Sequence, residues 1–149
     1  MRNDYIDQIV AEVECWQRQI HRQPELGFNE FQTADFVASK LTDFGLVVDC
    51  DLVDTAVVGV LKRGSSDRTL MFRAELDALP ITVASELPHT SEVPGVMHVF
   101  GHDAHTTMLL RAAKLLASKR CKSRAPAKLV PLKISLGETW VAEKDSQPK

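Results

Sequence analysis

A mixed α/β domain is what the sequence predicts, on three observations. Two amphipathic helical stretches come first, short valine-rich runs follow, and a third, strongly apolar helical stretch begins near Asp103. The size agrees: 149 residues, 44% hydrophobic and 26% charged, suit one domain with a core and a solvated surface.

From Asp4 to about Gln23, the residues Ile6, Ile9, Val10, Val13 and Ile20 recur at three- and four-residue intervals, which puts them on one helical face. "RQPELG" ends that helix with Pro24 and Gly27. Asn29 with Gln32 has the form of a capping box, and Phe31, Ala34, Val37, Leu41 and Phe44 make a second stripe that stops at Gly45. "LVVDCD", "TAVVGVLK" and "TLMFRA" are short and rich in valine or other apolar residues, so three strands follow, and "RGSSDR" predicts a hairpin between the last two. Glu75 to Gly101 holds Pro80, Pro88 and Pro94 and no sustained period, a loop long enough to be functional. In "TTMLLRAAKLLASK" the polar residues Thr107, Arg111, Lys114 and Ser118 form a narrow stripe, which predicts a deeply packed third helix. After Arg120, "KLVPLKI" begins like a strand but carries Pro131 inside it, and the polar end has no period. The expected organisation is a domain over 1–120 and a divergent, poorly ordered tail over 121–149.

Composition removes several function classes. A net charge of −2 with no basic run gives no footprint for nucleic acid. Cys15, Cys50 and Cys121 are odd in number and widely spaced, which argues against a disulfide framework and a cysteine zinc site. "MRNDYIDQIV" is too polar for a signal peptide and the apolar runs are too short to span a bilayer, so a cytoplasmic protein with no membrane partner is expected. Neither GxGxxG nor GxxxxGK[ST] occurs.

The chemistry concentrates in "GVMHVFGHDAHTTMLL", which crowds His98, His102, Asp103 and His105 at the start of the third helix. Such groups are costly to bury unless each finds a partner. His102 and His105, at i and i+3, can point to one side and bind a metal, with acidic residues orienting their second nitrogens; solvated or hydrogen-bonded histidines are the alternative, and HExxH is absent. "RAELDALP" places Asp77 just past the strand "TLMF", the end at which open α/β sheets assemble their sites; a turn carboxylate capping amides beside Pro80 is the alternative there.

"IHRQPELGFNEFQTADFVASKL", "FRAELDALPI", "PGVMH" and "GHDAHTTMLLRAAKLLA" resemble, in order, successive signatures of the binuclear metallopeptidase family that includes aminoacylases, hippurate hydrolases and plant auxin-conjugate amidohydrolases. The resemblance runs from about Ile20 to Lys119. It implies a partial three-layer α/β/α sandwich without the family's inserted dimerisation domain. It also implies a divalent metal cofactor (Zn, Mn or Co) and hydrolysis of small amide substrates, N-acyl amino acids or related compounds. By the same resemblance His102 corresponds to the metal-binding histidine of a Cys-Gly-His-Asp segment, whose cysteine ligand is replaced by Phe100. Asp77 matches the catalytic aspartate near the metals, Glu75 stands where aspartate is usual, and Asp103 and His105 are auxiliary. The acidic candidates near the histidines are Glu75, Asp77, Asp103 and Glu92.

The family's Gln-Pro-Ala-Glu-Glu motif has no counterpart, since Glu138 and Glu143 are not adjacent. The resulting expectation is a truncated hydrolase, inactive alone, with metal weakly bound or absent. Apolar surface on Val57, Leu70, Phe72 and the third helix is expected to lie uncovered and to favour self-association. The alternative is a non-catalytic remnant or an interaction module.

Overall fold

The computed structural model describes residues 4–62, 69–85, 87–118 and 127–131. The first helix, α1 (Asp4–Arg22), has Asp4 and Asp7 in its first turn and His21 and Arg22 in its last, an arrangement that complements the helix dipole. Only the second half of its predicted stripe is covered: Ile20 is buried with Trp16, whereas Ile6 and Val10 are exposed.

Helix α2 (Phe31–Asp43) starts without the predicted capping box. Glu25 in the preceding loop does that work: Gln32 N and Thr33 N donate to its two carboxylate oxygens at 3.0 and 2.8 Å, and Thr33 Oγ1 donates at 2.8 Å. A carboxylate with two oxygens serves two free amides at once, which Asn29 cannot match. Ala34, Val37 and Leu41 enter the core, Phe31 stays outside it, and Gly45 turns the chain with φ 83°.

The strands are β1 (Val47–Asp49), β2 (Val58–Leu61), β3 (Leu70–Ala74) and β4 (Ala127–Pro131), in the order β1-β2-β4-β3. β1 and β2 are antiparallel, β2 and β4 antiparallel, β3 and β4 parallel. The predicted hairpin between the second and third strands therefore does not form, because β4 lies between them. Two strand spacings, about 10 Å, separate β2 from β3, too wide for a tight turn. Within the span expected to be a tail from residue 121, Ala127–Pro131 is an inner strand. The rest of 121–149 lies outside the described residues.

Helix α3 (His102–Ala117) is the crossover between the parallel strands β3 and β4. Leu109, Leu110 and Ala113 pack with Trp16, Val37, Leu41, Val57, Ala74 and Leu76 in one cluster, and Val48, Leu61 and Phe72 of the sheet lean on it. The predicted polar stripe is only partly open to water, at Lys114 and Ser118. Thr107 is buried, and Arg111 and Lys114 turn to Glu12 of α1, so the stripe is a seam between two helices, while Met108 and Leu115 face outward at 57% and 46% exposure. Val57 is buried in the cluster and Phe72 half-buried against it, contrary to the expectation of uncovered surface, while Leu70 is exposed. Val47, Val60 and Met71 share a row on the opposite side of the sheet through position 128, and Val47 and Met71 are exposed. Among the described residues, then, the helices of the core cluster cover one side of the sheet.

Candidate active site

The site forms where β3 ends and α3 begins. Isolated bridges tie the loop after β3 into place, Leu26 beside Ala78 and Leu79 opposite Met97, so Glu75 to Leu79 is held from both sides. Gly101, in the left-handed region at φ 79°, turns the chain into α3, and His102 is the first helical residue.

His102 and Asp77 come together. His102 Nδ1 donates to the carbonyl oxygen of Asp77 at 2.9 Å, and the Asp77 carboxylate oxygen Oδ1 lies 3.2 Å from the same nitrogen. The aligned bond is the one to the carbonyl, and a carbonyl can only accept, so the ring is fixed with its proton on Nδ1 and a lone pair on Nε2. Both side chains are partly exposed, at 22% and 19%. Thr106 Oγ1, one turn on, donates to the carbonyl of Glu75 at 2.7 Å and pins the helix start to the same loop.

The remaining predicted site residues separate. Glu75 is held by Arg73 at 2.8 Å and is 3.8 Å from Nδ1 of the half-exposed His105. Asp103 points the other way, into the interface with α1, where Gln17 Nε2 and His21 Nδ1 donate to its Oδ2 at 2.5 and 2.8 Å. Burial pushes the Asp103 carboxyl up, but the bonds from His21 and Gln17, with help from His98 and the Ala104 amide, prevail and hold it below its ordinary value. Glu92, expected near the histidine cluster, is instead at the end of α1, where it accepts from Gln23 at 2.6 Å and sits 3.9 Å from Arg22; the loop carries it outward. Phe100 is 70% exposed, its ring centroid 6.5 Å from that of His102.

His98 is 4% exposed, and neither ring nitrogen has a hydrogen-bond partner among the described residues. Burial lowers its pKa to about 4, and the opposing field of Asp103 does not restore it; the imidazole is neutral at pH 7. Sequence reasoning missed His21, Gln17 and His89. The His21 ring lies 5.8 Å from that of His89 and 6.3 Å from that of His98, while His102 and His105 are 6.1 Å apart. His21 stands inside "IHRQPELGF", and its presence there was the available signal.

A histidine and a carboxylate thus stand at the carboxyl end of β3, where open α/β sheets assemble their sites, and the histidine opens the crossover helix. Residues 71–131 match the peptidase family M20/M25/M40. Hippurate hydrolase of Campylobacter jejuni is 47% identical over 127 residues, covering 85% of this chain and 33% of the relative. IAA-amino acid hydrolase ILR1-like 5 of Arabidopsis thaliana is 43% identical over 115 residues, 77% of this chain and 25% of the relative. Among solved structures, Bacillus subtilis YXEP, described as a dinuclear metal binding peptidase from the M20 family, superposes with a TM-score of 0.79 at 28% identity. That match covers 84% of this chain and 35% of YXEP. The chain belongs to peptidase family M20/M25/M40. It spans between a quarter and a third of the length of the curated relatives named above.

Proposed function

We propose that this chain carries part of the active site of a metal-dependent hydrolase acting on amide bonds of N-acyl amino acids or related small amides. The observation that carries the reading is the His102–Asp77 pair: a ring nitrogen oriented by a carbonyl and flanked by a carboxylate, with its second nitrogen left to bind an ion. The hippurate hydrolase and IAA-amino acid hydrolase relatives support the substrate class. An imidazole donor suits Zn²⁺, and carboxylate donors suit Mn²⁺.

The donor set goes only part of the way. Among the described residues no group of three His, Cys, Asp or Glu side chains is placed to hold one ion, and Phe100, beside His102, has no lone pair to offer. These residues supply one ligand, its orienting carbonyl and a flanking carboxylate, and they do not complete a centre. Asp77 keeps the proton on Nδ1 of His102, Glu75 pairs with Arg73, and Asp103 serves the α1 interface. Catalytic groups that act as a unit lose most of their rate when one is missing. The exposed Phe100 in the ligand position favours the second reading, a non-catalytic remnant or interaction module.

The domain limits 1–120, a cytoplasmic location and self-association through uncovered surface belong to the same proposal. No helix among the described residues is long and apolar enough to cross a membrane. Calorimetric titration of the chain with Zn²⁺ or Mn²⁺ is expected to give one weak site that disappears in His102→Ala, and no hydrolysis of hippurate or N-acetylated amino acids with either ion. Two tight sites, or metal-dependent turnover lost in His102→Ala, would show that the chain is self-sufficient.

A further inference from the structure

We infer that Asp103 is a positioning residue: through Gln17 and His21 it sets the rotation of α3 about its axis and thereby the direction of the His102 ring. The inference rests on the reading of His102 given above. His102 and Asp103 are neighbours in the first turn of α3, and consecutive helical residues point about 100° apart, so one faces the Asp77 loop when the other faces α1. Neither can turn without the other.

The two sides are held unequally. Toward the loop, His102 and Thr106 each make one bond to a backbone carbonyl. Toward α1, one buried carboxylate oxygen receives two donors from residues four apart on the same helix face. Charge-assisted bonds to a buried carboxylate are shorter and stronger than neutral ones, and Asp103 is 3% exposed. The second fastening between the helices, Glu12 with Arg111 and Lys114, is partly exposed and two to three turns further along, too far to fix the first turn. A roll of about 20° would move a side-chain tip about 5 Å from the helix axis by about 2 Å, enough to break a 2.9 Å bond between His102 Nδ1 and the Asp77 carbonyl. Helix α1 thus governs the site while contributing no group to the His102–Asp77 pair.

The test reads the tautomer of His102 by long-range ¹H–¹⁵N correlation spectra of the metal-free chain at about pH 8, above the range in which a free histidine titrates. The unmodified chain is expected to show His102 in one form, with the proton on Nδ1. Asp103→Asn, whose amide oxygen still accepts from Gln17 and His21, is expected to keep that form. Asp103→Ala is expected to lose it, giving both tautomers in exchange while circular dichroism stays helical. A merely structural role would lower stability and leave the tautomer unchanged, so a folded Asp103→Ala with a single Nδ1–H form overturns the inference. If Asp103→Ala fails to fold, Gln17→Leu decides: partial loss of the single form supports the clamp, and full retention overturns it. Because no metal or substrate enters the measurement, failure of the hydrolase reading leaves its result untouched.

Discussion

Acidification is expected to destabilise this protein through His98, and the size of the effect follows from its burial. An unfolded histidine takes up its proton near pH 6.5, whereas the folded one, buried with no partner for either nitrogen among the described residues, resists it until about pH 4. Between those values the unfolded chain binds more protons than the folded one, so stability is fully present above pH 6.5 and falls as the pH drops toward 4. The interval is worth about 3 kcal/mol in full, and about 2 kcal/mol of it is already lost by about pH 5. For a domain whose total stability is on the order of 5–15 kcal/mol, that is a large fraction. The groups that face His98 are Asp103, which favours its proton, and His21 and His102, which oppose it; Asp77 adds a weaker favourable field. Urea denaturation at several pH values, on the chain and on His98→Leu, separates His98 from the other histidines, because the leucine variant retains them. The variant is expected to lose about 2 kcal/mol less than the parent between about pH 7.5 and pH 5. Equal losses in the two proteins would refute the reasoning and mean that His98 takes its proton in the folded state as readily as in the unfolded one.

Two further outcomes are expected. Glu25→Ala removes the carboxylate that caps α2 and should cost about 1–2 kcal/mol in the denaturation midpoint, whereas Asn29→Ala should cost little, because the asparagine does not cap. Met71→Lys with Val47→Lys charges the uncovered sheet row, and sedimentation should show the parent associating with rising concentration and the double variant doing so less; a parent that is monomeric throughout would remove the proposed self-association.

The helices were legible because their signal is local. Periodic apolar residues place α1, α2 and α3 within a residue or so of their observed limits, and "GHDAH" fixed the start of α3. What the sequence could not show was competition between distant partners. Glu25 outbid Asn29 for the amides of α2 because a carboxylate accepts twice. The stripe Thr107, Arg111, Lys114, which periodicity assigns to water, became a seam because Glu12 stands opposite on α1. The order of the sheet depended on β4 entering between β2 and β3, a pairing between segments far apart in the chain. In the site, His102 and Asp77 were legible as residues at the ends of a strand and a loop, but the division of the cluster was not. His21 and Gln17, which draw Asp103 away from it, lie 82 and 86 residues earlier in the chain.

Phe100 offers a clean probe of the departure at the ligand position. Its ring is 70% exposed, so it contributes little buried apolar area, and exchange at such a surface position usually moves stability by less than about 0.5 kcal/mol. Phe100→Cys can therefore be read without correction for unfolding. A thiolate there would stand one glycine away from His102, and two donors on one short segment bind an ion better than one. Calorimetry is expected to show tighter Zn²⁺ binding in Phe100→Cys than in the parent, with the gain lost in the double variant Phe100→Cys, His102→Ala. Hydrolysis of hippurate should still be absent, because a second ligand does not supply the proton acceptor: Asp77 is engaged at His102, and Glu75 is held by Arg73. Unchanged Zn²⁺ affinity in Phe100→Cys would mean that His102 Nε2 does not point to the side on which residue 100 lies, and the assignment of His102 as a ligand would fall with it.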